Sequence, residues 1–228
     1  MAIRNLKRWL LIGGILAVLG VVGGPLIYFN LIAEDAPPVL TIGSPTGAGT
    51  AAAPDTVDGT WRATNDSVAG YRVQEILFGQ SKEAAGRTND VAGSFTLNGT
   101  TVSEASFTVD MASIESDQDR RDNQFRGRIM DVDTYPISTF ELTQPIELGT
   151  LPDDGVQGTA TATGELTIRG TTKTVTIELT GRRDGGTIRV SGSYLIVFED
   201  WNIPNPSGGP ARTSDEGTLE FLLVFTKA

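Results

Sequence analysis

Apolar and polar residues alternate with a period of two over most of the chain after residue 58. The pattern is clearest in the stretches 106–111, 139–143, 165–169, 174–180 and 219–225. In the first four stretches one set of side chains is aliphatic or aromatic, and the other is Thr, Ser or charged. Such alternation predicts strands with one buried and one solvated face, which is typical of antiparallel sheets.

Turn residues separate these strands at short intervals. Asn98-Gly99 and Asp184-Gly185-Gly186 are typical of hairpins, because Gly and Asn tolerate positive φ. About nine strand candidates follow one another in this way. An all-β, closed antiparallel barrel of about eight strands leaves no exposed edge and is the simplest fold for them. A β-sandwich is the alternative.

Two strand candidates interrupt the simple pattern. In the first, Glu75 falls on the same face as Tyr71, Val73 and Leu77, which would place a carboxylate inside the barrel. A β-bulge at Glu75 would instead turn the next positions inward, and the rarity of buried unpaired Glu favours the bulge. In the second, 194–198, apolar side chains occupy both faces, which predicts a strand that is also covered from outside.

The stretch 116–130 has a helical pattern instead. Phe125 and Ile129 are four residues apart, so we expect a short helix that plugs or flanks one end of the barrel. Three Asp residues at its start are interleaved with two Arg residues. This arrangement suits salt bridges better than a calcium site, and we predict no metal.

The segment 9–33 contains twenty-five residues without a charge. A helix of this length exceeds a hydrocarbon core of about 30 Å. Arg4, Lys7 and Arg8 precede it and every acidic residue follows it, so the positive-inside rule predicts a cytoplasmic tail at residues 1–8. The apolar run is too long for a cleaved signal peptide. We therefore expect a single-pass anchor in the cell membrane with the rest of the chain extracytoplasmic.

Residues 34–57 are rich in Pro, Gly, Ala and Thr and show no periodicity, which predicts a flexible linker. The barrel domain then covers 58–228. Within the anchor, Gly20 and Gly24 form a GxxxG pair that could let two helices dimerise. Gly is also common in membrane helices in general, and this explains the pair better than a dimer does.

The composition excludes several function classes. The chain has neither Cys nor His, so it cannot build a Ser-His-Asp triad, a Cys nucleophile or a His/Cys zinc site. No spaced carboxylate pair stands among sugar-stacking aromatics. The net charge of −10 repels phosphate backbones, which excludes nucleic acid as a partner. We therefore predict a protein that is not an enzyme and holds no cofactor.

Two motifs resemble those of the YceI-like family. The segment SIESDQDRRDNQFRGRIMDVDTYPISTFEL resembles the family signature at Ser113-Ile114, Ser116, Arg121-Asp122, Tyr135-Pro136 and Phe140. The segment ATGELTIRGTTKTVTIELT resembles a family hairpin at Gly164, Leu166, Thr167, Gly170 and Thr172. The resemblance covers about residues 59 to 228. The chain departs from the family in lacking the histidines near the second strand and after the Arg-Asp pair, where Asn123 and Gln124 stand.

The resemblance implies a lipocalin-like barrel that holds a polyisoprenoid or similar amphiphile in an elongated apolar interior. Members of the family are typically exported from bacterial cells. Physical arguments alone leave open whether an eight-stranded barrel is hollow or filled by its own side chains. We expect a membrane-anchored lipid-binding protein that carries or sequesters an isoprenoid. The alternative is a ligand-free adhesion or scaffold module of the cell envelope.

The inward positions of the predicted strands and helix supply the candidate ligand-binding residues. The apolar candidates are Val73, Leu77, Phe95, Leu97, Phe107, Val109, Met111, Phe125, Ile129, Phe140, Leu142, Leu166, Ile168, Ile177, Tyr194, Ile196, Phe198, Trp201 and Phe221. The polar candidates are Glu75, Arg121 and Asp122, although an internal salt bridge would explain the last two as well. Trp201 stands in the loop WNIPNPSGGP, either as part of a rim that gates entry or as a loop packed on the barrel end.

Overall fold

The computed structural model describes residues 36–43, 56–77, 79–207 and 211–228. The alternating stretches form strands, as their Thr, Val, Ile and Phe content favours. The strands are β1 Gly59–Ala63, β2 Val68–Leu77, β3 Gln80–Thr88, β4 Val91–Asn98, β5 Thr101–Asp110, β6 Glu115–Ser116, β7 Ile137–Leu142, β8 Ile146–Glu147, β9 Gln157–Ile168, β10 Thr171–Asp184, β11 Thr187–Val197 and β12 Ala211–Lys227.

These strands close into a barrel with eight strand positions. β1 and β2 are successive pieces of one bent strand, because both pair with β12. β3 and β4 form the next position, since they pair with β2 and β1 respectively. The circle continues through β5, β7, β9, β10, β11 and β12, and neighbouring strands are antiparallel throughout. The prediction of an antiparallel barrel is confirmed, and the sandwich is wrong.

A short helical segment closes one end of the barrel, which we call the plug end. Helix α1 covers Asp119–Gln124 and continues into a π-helical turn at Phe125–Ile129. Phe125 and Ile129 are buried, as predicted, and they pack against Met111 and Ile114 from the chain that follows β5. The helix is shorter than the stretch 116–130, because Glu115 and Ser116 pair with β3 as strand β6.

The β-bulge expected at Glu75 is absent from β2. β2 pairs with β3 without interruption from Ala69 to Leu77, so Glu75 keeps its inward position. Ile76 is 50% exposed on the outside. The register shift lies instead on the partner strand β12, between Thr213 and Gly217. The prediction that favoured a bulge at Glu75 is therefore wrong.

Strand β11 has an exposed outer face. Leu195 and Val197 point away from the barrel and are 53% and 38% exposed, whereas Ile196 is buried. The prediction that this strand is covered on both sides is therefore wrong, because no described segment packs over its outer face at these two residues.

Residues 36–43, which we call the strap, lie on the outside of the barrel. Ile42 is only 4% exposed. Arg72 donates a hydrogen bond to the Pro37 carbonyl at 2.6 Å, and Arg182 donates one to the Gly43 carbonyl at 3.0 Å. This part of the predicted flexible linker is therefore docked, which corrects the prediction for these eight residues.

The remaining N-terminal predictions are not tested by the structure. The basic tail 1–8, the anchor 9–33 with Gly20 and Gly24, and most of the linker lie outside the described residues. Among the ranges that are described, no helix combines the length and the apolar character needed to cross a bilayer.

Inward-facing glycines make room for inward-facing aromatic rings. Gly164 lies beneath the Phe140 ring, and a Cβ built on it would stand 2.4 Å from the Glu141 carbonyl oxygen and 2.5 Å from Phe140 Cζ. Gly192 lies beneath Phe221 in the same way, with 2.6 Å from a Cβ to the ring. A strand glycine allows this close approach of a ring to a neighbouring backbone.

We expect Gly164→Ala to lower the free energy of unfolding by about 1–3 kcal/mol, because its methyl group would overlap backbone that cannot give way. Gly181→Ala is the matched control in β10, since the nearest atoms to its Cβ would lie at 3.9 Å. That control should leave the stability unchanged or raise it slightly. Urea unfolding of both variants measures the difference, and equal stabilities would contradict the prediction.

Candidate functional site

A cavity of about 760 Å³ extends through the interior of the barrel. Its middle section is walled by rings and aliphatic chains such as Phe107, Phe140, Ile177 and Phe221. An eight-stranded barrel can be filled by its own side chains or can hold one small ligand, and here the cavity shows that the inward residues do not interlock. The barrel is therefore hollow and is not filled by its own side chains.

Most of the predicted lining residues lie on the cavity wall. These residues are Val73, Phe95, Leu97, Phe107, Val109, Met111, Phe125, Ile129, Phe140, Leu142, Leu166, Ile168, Ile177, Ile196, Phe198 and Phe221, together with the polar candidates Glu75 and Arg121. Each strand residue among them occupies the inward parity of its strand. Their contact with a ligand stays a prediction.

The other apolar candidates take different positions. Tyr194 is half-buried and packs against the apolar cluster at the plug end, but it does not reach the cavity. Trp201 ends a 3-10 helix at Phe198–Trp201 and is 2% exposed, with Lys173 Nζ 5.7 Å from its ring centre. This corrects the predicted lining role of both residues, and Trp201 is packed on the barrel end instead of forming a rim. Leu77 falls outside the described side chains.

The plug end of the cavity carries a small polar group of residues. Tyr71 and Glu75 project inward from β2, and Arg121 reaches them from α1. Arg121 Nη2 lies 3.6 Å from Glu75 Oε2, and Arg121 also forms an ion pair with Asp117 on its own segment. The partner that Glu75 requires inside the barrel is thus supplied by the helix, which explains how this carboxylate is tolerated there.

The Tyr71 ring stacks on Phe125, with ring centres 5.0 Å apart and planes 10° from parallel. Burial raises the pKa of the Tyr71 phenol above its usual range, against the opposing effect of the Arg121 charge. The phenol is therefore neutral at all physiological pH values. It offers the cavity a hydroxyl group that can donate or accept a hydrogen bond.

Asp122 holds the helix and does not face the cavity. Its Oδ1 accepts hydrogen bonds from the Ser116 backbone N–H at 2.9 Å and from Ser116 Oγ at 2.6 Å, and the residue is 5% exposed. This corrects its prediction as a ligand-binding residue. Of the Arg-Asp pair, Arg121 faces the cavity and Asp122 fixes the turn before α1. Within the described ranges, no cluster of His, Cys, Asp or Glu is arranged to hold a metal ion.

Ser138 was not among the sequence candidates. It stands at the start of β7, in the half of the cavity near the plug, and it is 7% exposed. Its Oγ has no hydrogen-bond partner among the described residues. The alternation of inward and outward residues in β7 could have identified it. Because Phe140 and Leu142 point inward, Ser138 points inward as well, and it is the polar residue among the three.

At the opposite end, which we call the loop end, residues 148–156 form a loop that we call the closing segment. Leu148, Leu151 and Val156 of this closing segment line the cavity. The segment is attached to the β10–β11 hairpin: Gly155 donates its N–H to the Arg183 carbonyl at 2.8 Å, and the backbone N–H of Gly185 donates to Asp154 at 2.9 Å. This end is therefore covered by an irregular loop and not by a helix.

Comparison with known proteins gives a consistent result. A family model described as the YceI-like domain matches residues 61–225. A UPF0312 protein of Vibrio parahaemolyticus is 32% identical over 128 residues, which cover 52% of this chain and 64% of that protein. A UPF0312 protein of Pseudomonas aeruginosa is 32% identical over 127 residues, which cover 52% and 62%. The matched segment is thus less than two thirds of the length of these relatives.

Two solved structures share the fold. A polyisoprenoid binding domain from Saccharophagus degradans, implicated in plant cell wall breakdown, has a TM-score of 0.59 at 16% identity and covers 75% of this chain and 99% of that domain. BcnA of Burkholderia cenocepacia has a TM-score of 0.54 at 24% identity and covers 69% and 95%. These similarities concern the fold alone. The family model, which spans most of the barrel, confirms the resemblance seen in the sequence, and the chain belongs to the YceI-like family.

Proposed function

We propose that this protein binds the hydrocarbon chain of an isoprenoid or similar amphiphile inside the barrel, as a carrier or a store. The observation that carries the proposal is the cavity of about 760 Å³, which is apolar between its two ends. This volume falls within the range of about 300–1,000 Å³ that is usual for small-molecule sites. The domain from Saccharophagus degradans, which shares the fold, is described as polyisoprenoid binding.

Affinity in such a site comes mainly from removing the chain from water. Each buried methylene contributes about 0.8 kcal/mol, so an isoprenoid tail gains affinity along its whole length. The rings of Phe107, Phe140 and Phe221 offer flat surfaces for this contact without fixing the chain at one position. The proposed role is therefore binding and not catalysis.

We also propose that the polar head of the ligand lies at the plug end and is uncharged. Ser138 and Tyr71 offer hydroxyl groups there, and a buried hydroxyl without a partner is unfavourable until a ligand supplies one. The two charged residues that line this end of the cavity, Glu75 and Arg121, lie 3.6 Å apart and offset each other. The Glu75 carboxylate repels a phosphate or diphosphate head, whereas the neutral pair tolerates an alcohol or a carbonyl.

We further propose that residues 9–33 span the cell membrane and hold the barrel on its extracytoplasmic side. Support comes from the sequence: an uncharged apolar run follows three basic residues and precedes every acidic one. A carrier held at the bilayer meets membrane lipids at a high effective concentration.

Filling the middle of the barrel tests the main proposal. We expect Ala160→Phe, an inward substitution in β9, to reduce binding of farnesol by about tenfold or more, because the ring occupies the path of the chain. Thr161→Phe is the control, since Thr161 is exposed on the outer face of the same strand. Native mass spectrometry of residues 36–228 with added farnesol measures bound ligand. Equal farnesol binding by the native chain and by Ala160→Phe would contradict the proposal.

The head-group position has a separate test. We expect Ser138→Ala to weaken farnesol binding by about fivefold, the effect of one hydrogen bond, and to leave binding of the hydrocarbon farnesene unchanged. Ser191→Ala serves as the control, because Ser191 is equally buried but lies on the outer wall. Titration calorimetry measures both ligands. An equal loss for farnesol and farnesene would show that Ser138 acts on packing and not on the head group.

The charge argument predicts a change of ligand preference. We expect Glu75→Gln to raise the affinity for farnesyl diphosphate relative to farnesol by roughly tenfold, since one repelling carboxylate is removed. Glu104→Gln, on the exposed outer face of β5, should leave this ratio unchanged. Competition against a fluorescent fatty-acid probe measures the two affinities. A ratio that moves equally in both variants would assign the effect to net charge and not to the plug end.

A further inference from the structure

The strap crosses the outside of the barrel from β3 to β10. Arg87 donates to the Pro38 carbonyl, and the Leu40 backbone N–H lies 3.5 Å from Glu220 Oε2 on β12. Together with the contacts of Arg72 and Arg182 to Pro37 and Gly43, these bonds attach the strap at both of its ends and in its middle. All four contacts reach backbone atoms of the strap.

Glu220 shows how closely the strap is fitted. It alternates with Leu219 and Phe221, which face the cavity, so its carboxylate points outward; yet the residue is fully buried. Arg72 and Arg87 lie 3.3 and 2.8 Å from its oxygens. An outward carboxylate is hidden from water here because the strap covers it. Lifting the strap would disturb a buried ion cluster, so the strap is a fixed part of the wall.

The wall that carries the strap also holds most of the exposed apolar side chains. Among the described residues, the exposed large apolar side chains on this wall are Val39 of the strap at 56%, Ile76 of β2 at 50%, and Leu195 and Val197 of β11 at 53% and 38%. β2 and β11 are the two neighbours of β12, so these residues lie within three adjacent strands. Off this wall, Ile137, at 51%, stands on β7 at the opposite side of the barrel, and Val156, at 50%, lies in the closing segment.

The chain that precedes the strap indicates what covers this wall. This step rests on the proposed membrane span at residues 9–33. Only residues 34 and 35 separate that span from the strap, and three peptide steps reach at most about 11 Å. The docked strap thus leaves no long tether, and the wall around it is the part of the barrel nearest to the bilayer.

We propose that the outer face of β2, β12 and β11, with Val39, Ile76, Leu195 and Val197, rests on the surface of the bilayer that holds the span. The barrel then lies on its side, with both ends of the cavity near the headgroups. The exposed charged residues of β12 on this wall have both signs, Arg212 beside Ile76 and then Asp215 and Glu216, so the surface that the wall fits is zwitterionic.

The absence of cysteine allows a direct test with single labels. Leu195→Cys and Ile137→Cys, each carrying a bimane fluorophore, place one probe on the strap wall and one on the opposite wall. The full chain is reconstituted in phosphatidylcholine vesicles that contain headgroup-nitroxide lipid. We expect at least about threefold stronger quenching at residue 195 than at residue 137, because apolar residues at a bilayer surface lie among the headgroups. Equal quenching overturns the proposal.

A second variant connects the orientation to the strap. Ile42→Asp places a charge beneath the strap without changing the labelled positions. It should make the quenching at 195 and 137 equal and leave farnesol binding in the cavity unchanged. Retention of the asymmetry in a folded Ile42→Asp chain would show that the strap does not set the orientation.

The remaining outcomes separate this inference from the functions proposed above. If the chain does not float with the vesicles, the proposed membrane span and the proposed orientation are both wrong, but the proposed ligand binding is unaffected. If the chain floats with the vesicles but quenching at residues 195 and 137 is equal, only the proposed orientation is wrong. If the bimane at residue 195 becomes more shielded from water as the protein density rises, and the nitroxide lipid does not quench it, the wall contacts a second copy of the chain. That outcome overturns the proposal.

Discussion

Closure of the sheet through β12 is the constraint on which the rest of the structure depends. This 17-residue strand pairs with β11 along one edge and with β2 and β1 along the other. Every main strand then has two neighbours, so backbone hydrogen bonds are satisfied around the circle without any contact across it. The interior can therefore remain open, and inward glycines beneath Phe140 and Phe221 let large rings lie flat along the wall instead of filling the space.

The alternation of inward and outward residues in β2 connects the proposed ligand site with the proposed membrane contact. Its inward residues Tyr71 and Glu75 belong to the polar end of the cavity, and its outward Arg72 binds both the strap and Glu220. A shift of one residue in the register of β2 would move each group to the wrong face. The same pairing with β3 and β12 thus maintains the interior site and the exterior attachment.

The barrel was predictable from the sequence, because the period of two and the turn residues report on strands directly. Glu75 was harder to predict. Its position in the alternation pointed inward, but its partner Arg121 is 46 residues away, so the rarity of buried Glu argued for a bulge in β2, whereas the register shift lies on β12. The strap could not be predicted, since arginines bind the carbonyls of Pro37 and Pro38, and backbone carbonyls leave no trace in the pattern of side chains. Trp201 is buried because it packs on the end of the barrel, and its position in a Pro-rich loop did not show whether it would pack there or form a rim.

The closing segment 148–156 has a consequence for timing. A molecule that passes the loop end must first break the backbone bond from Gly155 to Arg183 and the contacts of Asp154 with Gly185 and with Arg183, whose Nε lies 3.2 Å from Asp154 Oδ1. Such openings are local fluctuations with their own free energy. For the proposed ligand, the rate at which this loop detaches therefore sets an upper limit on how fast it can enter or leave through this end, whatever its affinity.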